Sequence, residues 1–135
     1  LAPFECLCGN FILPEPASYV FFYAFSNLRN LLYIIPASRP VIAAKRDNMD
    51  EYDTIFVGFP IWWYIAPTII NTFLESYDLK GKTIIPFATS GGSDMGKTNE
   101  KLAPSCPGAK LLHGKVFNSY SSKADLSAWV EALSL

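Results

Sequence analysis

Two adjacent tryptophans, Trp62 and Trp63, follow the apolar run Thr54-Ile55-Phe56-Val57-Gly58-Phe59, with Pro60 and Ile61 between. An apolar run of that length reads as a buried strand, so the indoles sit at its carboxyl end. In an open α/β sheet that edge is where ligands bind, and flat aromatic surface there is a candidate wall for a planar ligand. Adjacent residues leaving a strand point to opposite sides, so the two rings cannot both fill one core. A second run, Thr83 to Thr89, leads into Ser90-Gly91-Gly92-Ser93-Asp94-Met95-Gly96, which offers hydroxyls and glycines instead of rings. Hydroxyls donate and accept hydrogen bonds, and glycine lets backbone N–H groups come close to a ligand. By composition alone this stretch is an ordinary flexible turn. Its pairing with the tryptophan loop is what marks it as a site.

Other reactive residues are sparse. Cys6, Cys8 and Cys106 are too few and too unevenly spaced for a disulfide framework, and His113 is the sole histidine, so no metal ligand is assigned. The spacing of Cys6 and Cys8 allows a metal or strained redox pair, but most such pairs are incidental. Few cysteines fit a reduced, cytoplasmic protein. No general base stands out, so no catalytic residue is assigned. His113, between Leu112 and Gly114, is expected to be solvated, Asp94 to be a turn residue, and Lys97 to be an exposed lysine at a helix start.

The elements that must position the two loops follow from periodicity. Ala66-Pro67 opens a helix in which Ile69, Ile70, Phe73, Leu74 and Tyr77 recur at helical spacing. Pro86 inside the second run predicts a local bulge or an unpaired donor. Gly96 to Leu102 reads as a helix stopped by Pro104 and Pro107, and Ala109 to Asn118 contains a short strand. Ser122 to Leu133 reads as an amphipathic helix capped by Ser122, with Leu126, Trp129, Val130 and Leu133 facing the sheet. Upstream, Tyr19 to Phe25 and Leu31 to Ile35 look like buried strands. Only Ser26 to Asn30 separates them, too little for a parallel crossover of a dozen residues or more. Ser38 to Asn48 reads as a surface connection or short helix. Alternating strands and helices imply a doubly wound α/β sheet with both loops on one edge, reached by right-handed crossovers.

Composition narrows the partners. The 135-residue chain fits a single domain, 1–135; half of it is hydrophobic, 17% is charged, and the formal net charge is -1. No basic footprint for nucleic acid is present. Ser26, Asn27, Arg29 and Asn30 interrupt the most apolar segment, Tyr19 to Ile35, so no membrane span is expected. Leu1 to Pro16 lacks the basic start and small-residue cleavage site of a signal peptide, and the amino end reads as truncated or atypical. The high apolar fraction is compatible with a homodimer.

From about Ser38 to the end, the chain resembles the flavodoxin-like, FMN-binding proteins of bacteria. The resemblance rests on Asp53-Thr54-Ile55-Phe56-Val57-Gly58-Phe59-Pro60-Ile61-Trp62-Trp63, Ile69 to Glu75, Gly81 to Phe87, Thr89-Ser90-Gly91-Gly92-Ser93, Cys106-Pro107-Gly108-Ala109 and Ser127-Ala128-Trp129. It implies a three-layer α/β/α flavodoxin-like fold, with the isoalloxazine of FMN against Pro60, Ile61, Trp62, Trp63, Thr89, Ser90, Gly91 and Gly92. Residues 1–37 depart from the pattern. Where the family places a hydroxyl- and glycine-rich phosphate loop, Ser26-Asn27-Leu28-Arg29-Asn30 has no Gly and no Thr, and Ser26 and Asn27 are only partial substitutes. The implied activity is an FMN-dependent oxidoreductase passing electrons from NAD(P)H to a small acceptor such as a quinone, Lys97 being a candidate for attracting a nicotinamide phosphate. A one-electron flavodoxin carrier and a flavodoxin fold that has lost flavin are the alternatives. Carriers of the family are usually strongly acidic, and a charge of -1 offers little steering.

Overall fold

The structure, a computed structural model, describes residues 19–23, 37–42, 45–118 and 120–135. Ser26, the pair Cys6 and Cys8, and the run Leu31 to Ile35 lie outside the described residues.

Three strands set the frame: β1 (Tyr19–Tyr23), β2 (Thr54–Pro60) and β3 (Thr83–Thr89) pair in parallel in that order. Tyr19 lies opposite Thr54, Thr54 opposite Thr83, and Pro60 opposite Thr89, so β2 and β3 end level at their carboxyl edge. Helix α1 (Thr68–Glu75) returns the chain from β2 to β3. Pro67, in extended backbone, is its N-cap residue. Helix α2 (Thr98–Leu102) passes into a short 3-10 turn, Ala103–Ser105. The strands β4 (Lys110–Leu111) and β5 (Lys115–Phe117) both pair in parallel with β3, and helix α3 (Lys123–Ala132) follows.

The alternation of side chains along the strands sorts the core into two layers. Ile55, Val57 and Phe59 of β2, with Ile84 and Ala88 of β3, pack with Ile69, Ile70, Phe73 and Leu74 of α1 and with Leu102 and Cys106. On the opposite face Phe56, Ile85, Phe87 and Phe117 meet Leu126, Trp129, Val130 and Leu133 of α3. Trp129 stands edge-on to Phe56 and Phe117 at ring distances of 5.9 and 5.2 Å. Helices on both faces of a parallel sheet make the three-layer α/β/α arrangement expected from the sequence. Ser122 caps α3 as expected: its Oγ accepts from the Asp125 N–H, and the Asp125 carboxylate accepts from the Ser122 N–H at 2.7 Å.

Of the two readings of Ser38 to Asn48, the described residues 38–42 and 45–48 show the surface connection, followed by a 3-10 turn at Met49–Glu51. Two expectations change in detail. The helix expected from Gly96 begins at Thr98, because Gly96 sits at φ +49° and the Lys97 N–H is taken by the Tyr64 carbonyl at 3.0 Å. The short strand within 109–118 is split in two. Between the pairs Ile84 with Leu111 and Phe87 with Lys115, β3 has Ile85 and Pro86, while the edge strand has Leu112, His113 and Gly114. Even-numbered residues of β3 direct their backbone groups to this edge, as the Lys82 and Ile84 carbonyls show by accepting from Lys110 and Leu112. The missing N–H of Pro86 therefore falls where the ladder breaks. The bulge read from Pro86 is real, but its partner strand carries it; β3 itself stays in unbroken register with β2.

Candidate functional site

The loops after β2 and β3 meet at the carboxyl edge of the sheet. The Ile61 N–H donates to the Thr89 carbonyl at 2.9 Å, extending the ladder one step beyond the strands. Trp62 and Ile65 then close a two-residue turn by exchanging hydrogen bonds of 2.9 and 3.1 Å. The residues at its tip, Trp63 and Tyr64, have φ of 51° and 65°. Positive φ at both tip positions is what a type I′ turn requires and what Asn-Gly normally supplies. For residues with a Cβ it costs on the order of 1–2 kcal/mol each. Burial does not compensate, since Trp63 is 79% exposed and Tyr64 63%. Trp62, Ile61 and Pro60 are half-buried.

Contacts from the second loop hold this turn. A Cβ on Gly96 would lie 2.5 Å from the Tyr64 carbonyl oxygen and 2.9 Å from the Tyr64 Cβ, so the absence of a side chain there lets the turn seat. The adjacent Lys97 N–H bonds to that same carbonyl. The aromatic tip is thus fixed by backbone contacts on both sides.

In the second loop, the Ser90 Oγ accepts from the backbone N–H groups of Gly92 (3.2 Å) and Ser93 (2.9 Å), and it shares a hydrogen bond of 2.8 Å with the Ser93 Oγ. The Gly92 N–H is therefore turned inward; the sequence led us to expect it free for a ligand. Neither Gly91 nor Gly92 has positive φ, and a Cβ on either would meet nothing within 4 Å. Nothing among the described residues demands glycine at these positions. Thr89 and both glycines are exposed, and Ser90 is half-buried. Of the predicted site residues, the structure brings Pro60, Ile61, Trp62, Trp63, Thr89, Ser90, Gly91 and Gly92 together on one edge. Ser26 lies outside the described residues. Sequence reasoning missed Tyr64 and Gly96; the signal available was a third aromatic after Trp63 and a glycine just before a helix.

Titratable groups near the sheet serve structure. Burial pushes the Cys106 thiol above its ordinary value, and its Sγ points at the Leu102 carbonyl. The Arg39 guanidinium holds the Glu75 carboxyl below the usual range against a smaller opposing effect of burial, and the Ser105 hydroxyl assists. Ser105 also accepts from the buried Asn71 amide at 2.9 Å, so an Asn71–Ser105–Glu75–Arg39 chain ties α1 to the turn after α2. His113 is exposed, as expected. The Asp94 Oδ1 accepts from the Gly96 N–H at 2.9 Å, the turn role expected of it. Among the described residues no helix is long and apolar enough to cross a membrane.

Comparison with known proteins agrees with this architecture. The family model described as Flavodoxin matches residues 32–133. A crystal structure from Bacteroides eggerthii DSM 20697, described as a flavoprotein, is 40% identical with a TM-score of 0.67, covering 75% of this chain and 63% of its own. A second, from Bacteroides uniformis ATCC 8492 and described likewise, is 44% identical with a TM-score of 0.66, covering 72% of this chain and 62% of that one. No curated protein matches. The chain belongs to the flavodoxin family, and it spans less than two thirds of the length of either solved relative.

Proposed function

We propose that the chain is an FMN-dependent oxidoreductase that passes electrons from NAD(P)H to a small acceptor such as a quinone. The observation that carries this reading is the pair of loops themselves. One holds exposed aromatic residues in a backbone conformation suited to glycine, and the other holds glycines that nothing among the described residues requires. Both features fit a flat ligand that wants aromatic surface on one side and close approach on the other.

When bound, FMN supplies hydride and electron transfer at its ring system. The chain's contribution is to bind, orient and exclude water. Trp62 and Trp63 would wall the ring, with Pro60 and Ile61 beneath them. Gly91 and Gly92 would leave room for the ring edge, the Thr89 hydroxyl would face its polar groups, and the Ser90 hydroxyl would hold the loop that presents them. Donors near the pyrimidine edge favour charge that collects there on reduction, which is how such residues tune a potential.

The alternative of a fold with impaired flavin binding has its own support: Ser26 to Asn30 lacks the glycines and threonines of a phosphate cradle. A single experiment separates the readings. FMN is titrated into the purified chain while the absorption spectrum and tryptophan fluorescence are followed, and NADH or NADPH oxidation is then assayed with a quinone. Tight binding with turnover supports the oxidoreductase, tight binding without turnover the carrier, and no binding the impaired fold.

A further inference from the structure

A cavity of about 300 Å³ lies beside the edge strand, lined by Asp94, Met95, Gly96, His113, Gly114, Lys115 and Val116. It opens where the edge strand bulges opposite Pro86. Its strand lining runs from that bulge to Val116, which lies opposite Ala88, and Asp94, Met95 and Gly96 come from the loop after β3, so the cavity adjoins the carboxyl edge on the side of β3 away from β2. Its volume is at the lower end of small-molecule sites. Met95 is buried, with its Cε against the Gly114 backbone, and Val116 packs on the α1 side of the core. These two make an apolar floor.

The polar rim is one-sided in its chemistry. The His113 Nδ1 lies 3.0 Å from the Gly114 carbonyl oxygen. A carbonyl can only accept, so Nδ1 carries the proton and Nε2 of the neutral ring is a bare acceptor. Asp94 spends Oδ1 on the Gly96 N–H and keeps its second carboxylate oxygen. The one cation in the lining is directed elsewhere: the Lys115 Nζ stands 5.4 Å from the Phe117 ring centroid, on the face that α3 covers. What the rim offers is acceptors and a negative charge over apolar walls.

We propose that this cavity binds a small molecule bearing a protonated amine on a compact apolar body, its ammonium held between the Asp94 carboxylate and the His113 Nε2. The proposal does not rest on the flavin reading: none of the residues assigned to the flavin lines the cavity, although Asp94, Met95 and Gly96 belong to the same loop as Ser90 to Gly92.

The sequence has a single histidine, so one imidazole resonance reports on the cavity without ambiguity. Benzylamine and benzoate, matched in size and opposite in charge, are titrated into the purified chain while the His113 ring protons are followed by NMR. Benzylamine is expected to give a saturable shift in the millimolar range, and benzoate an affinity at least tenfold lower. Asp94→Asn keeps Oδ1 for Gly96 and removes the charge, and it should weaken benzylamine at least tenfold. No saturable shift, equal response to benzoate, or an unchanged affinity in Asp94→Asn overturns the proposal. An FMN titration of the same wild-type preparation reads the carboxyl edge separately, so failure of one site is not mistaken for failure of the other.

Discussion

The loops after β2 and β3 answer the same structural question in opposite ways. The first places Trp63 and Tyr64 at positive φ, where glycine would be cheaper, and leaves their rings in solvent. The second places Gly91 and Gly92 at ordinary φ, with nothing among the described residues close enough to exclude a side chain. Stability alone would exchange the two compositions. Sites that bind ligands are where such local conflicts are kept, because the compensating contacts come from outside the chain.

The comparison predicts distinct responses to mutation. The largest loss belongs to the contact joining the loops: Gly96→Ala puts a Cβ against the Tyr64 carbonyl at a left-handed position and should cost about 1–3 kcal/mol in urea unfolding. Its near-ultraviolet tryptophan signal should change with it. Exchanging the strained tip for the sequence its backbone prefers, Trp63→Asn with Tyr64→Gly, should raise stability by roughly 1–2 kcal/mol. The same double variant should weaken FMN by about tenfold or more in a fluorescence titration. Unchanged affinity would mean the exposed ring does not touch the ligand. On the other loop, Gly91→Ala or Gly92→Ala should leave stability unchanged or raise it by about 0.4–1 kcal/mol, yet weaken FMN.

The smallest effect is a pH dependence away from both loops. The Glu75 carboxyl titrates below its ordinary value beside Arg39. A depressed carboxylate contributes stability that is complete above its unfolded value of about 4.3 and is lost as pH falls through the folded one. Acid titration of unfolding should therefore show a loss below about pH 4.3 that Arg39→Ala reduces, while Trp63→Asn with Tyr64→Gly leaves it in place. An acid limb altered by the loop variant instead would mean the two regions are coupled.

Much of the frame was legible because it rests on patterns with one physical reading. The apolar runs at 54–60 and 83–89 admit little besides buried parallel strands, and Ser122 followed by Asp125 announces a capped helix. That the two loops meet was legible for the same reason: strand ends of equal level must bring their loops together. The conformations within it were not. Nothing in Trp-Tyr signals a type I′ turn, since that turn is written in Asn and Gly. Gly96 belongs to the geometry of Tyr64, 32 positions earlier, and no local rule connects them. The inward turn of the Gly92 N–H likewise depends on the rotamer of one serine. Pro86 gave notice of a bulge but not of the strand that would bear it.

That bulge has a consequence for the company this molecule keeps. An edge strand in continuous register is a template onto which another polypeptide can add, the first step of runaway sheet growth. Here the outer edge is broken into pieces of two and three residues, with Lys110 opening one and Lys115 the other. A proline missing one hydrogen on the inner strand thereby leaves the outer one too short and too charged to recruit a stranger.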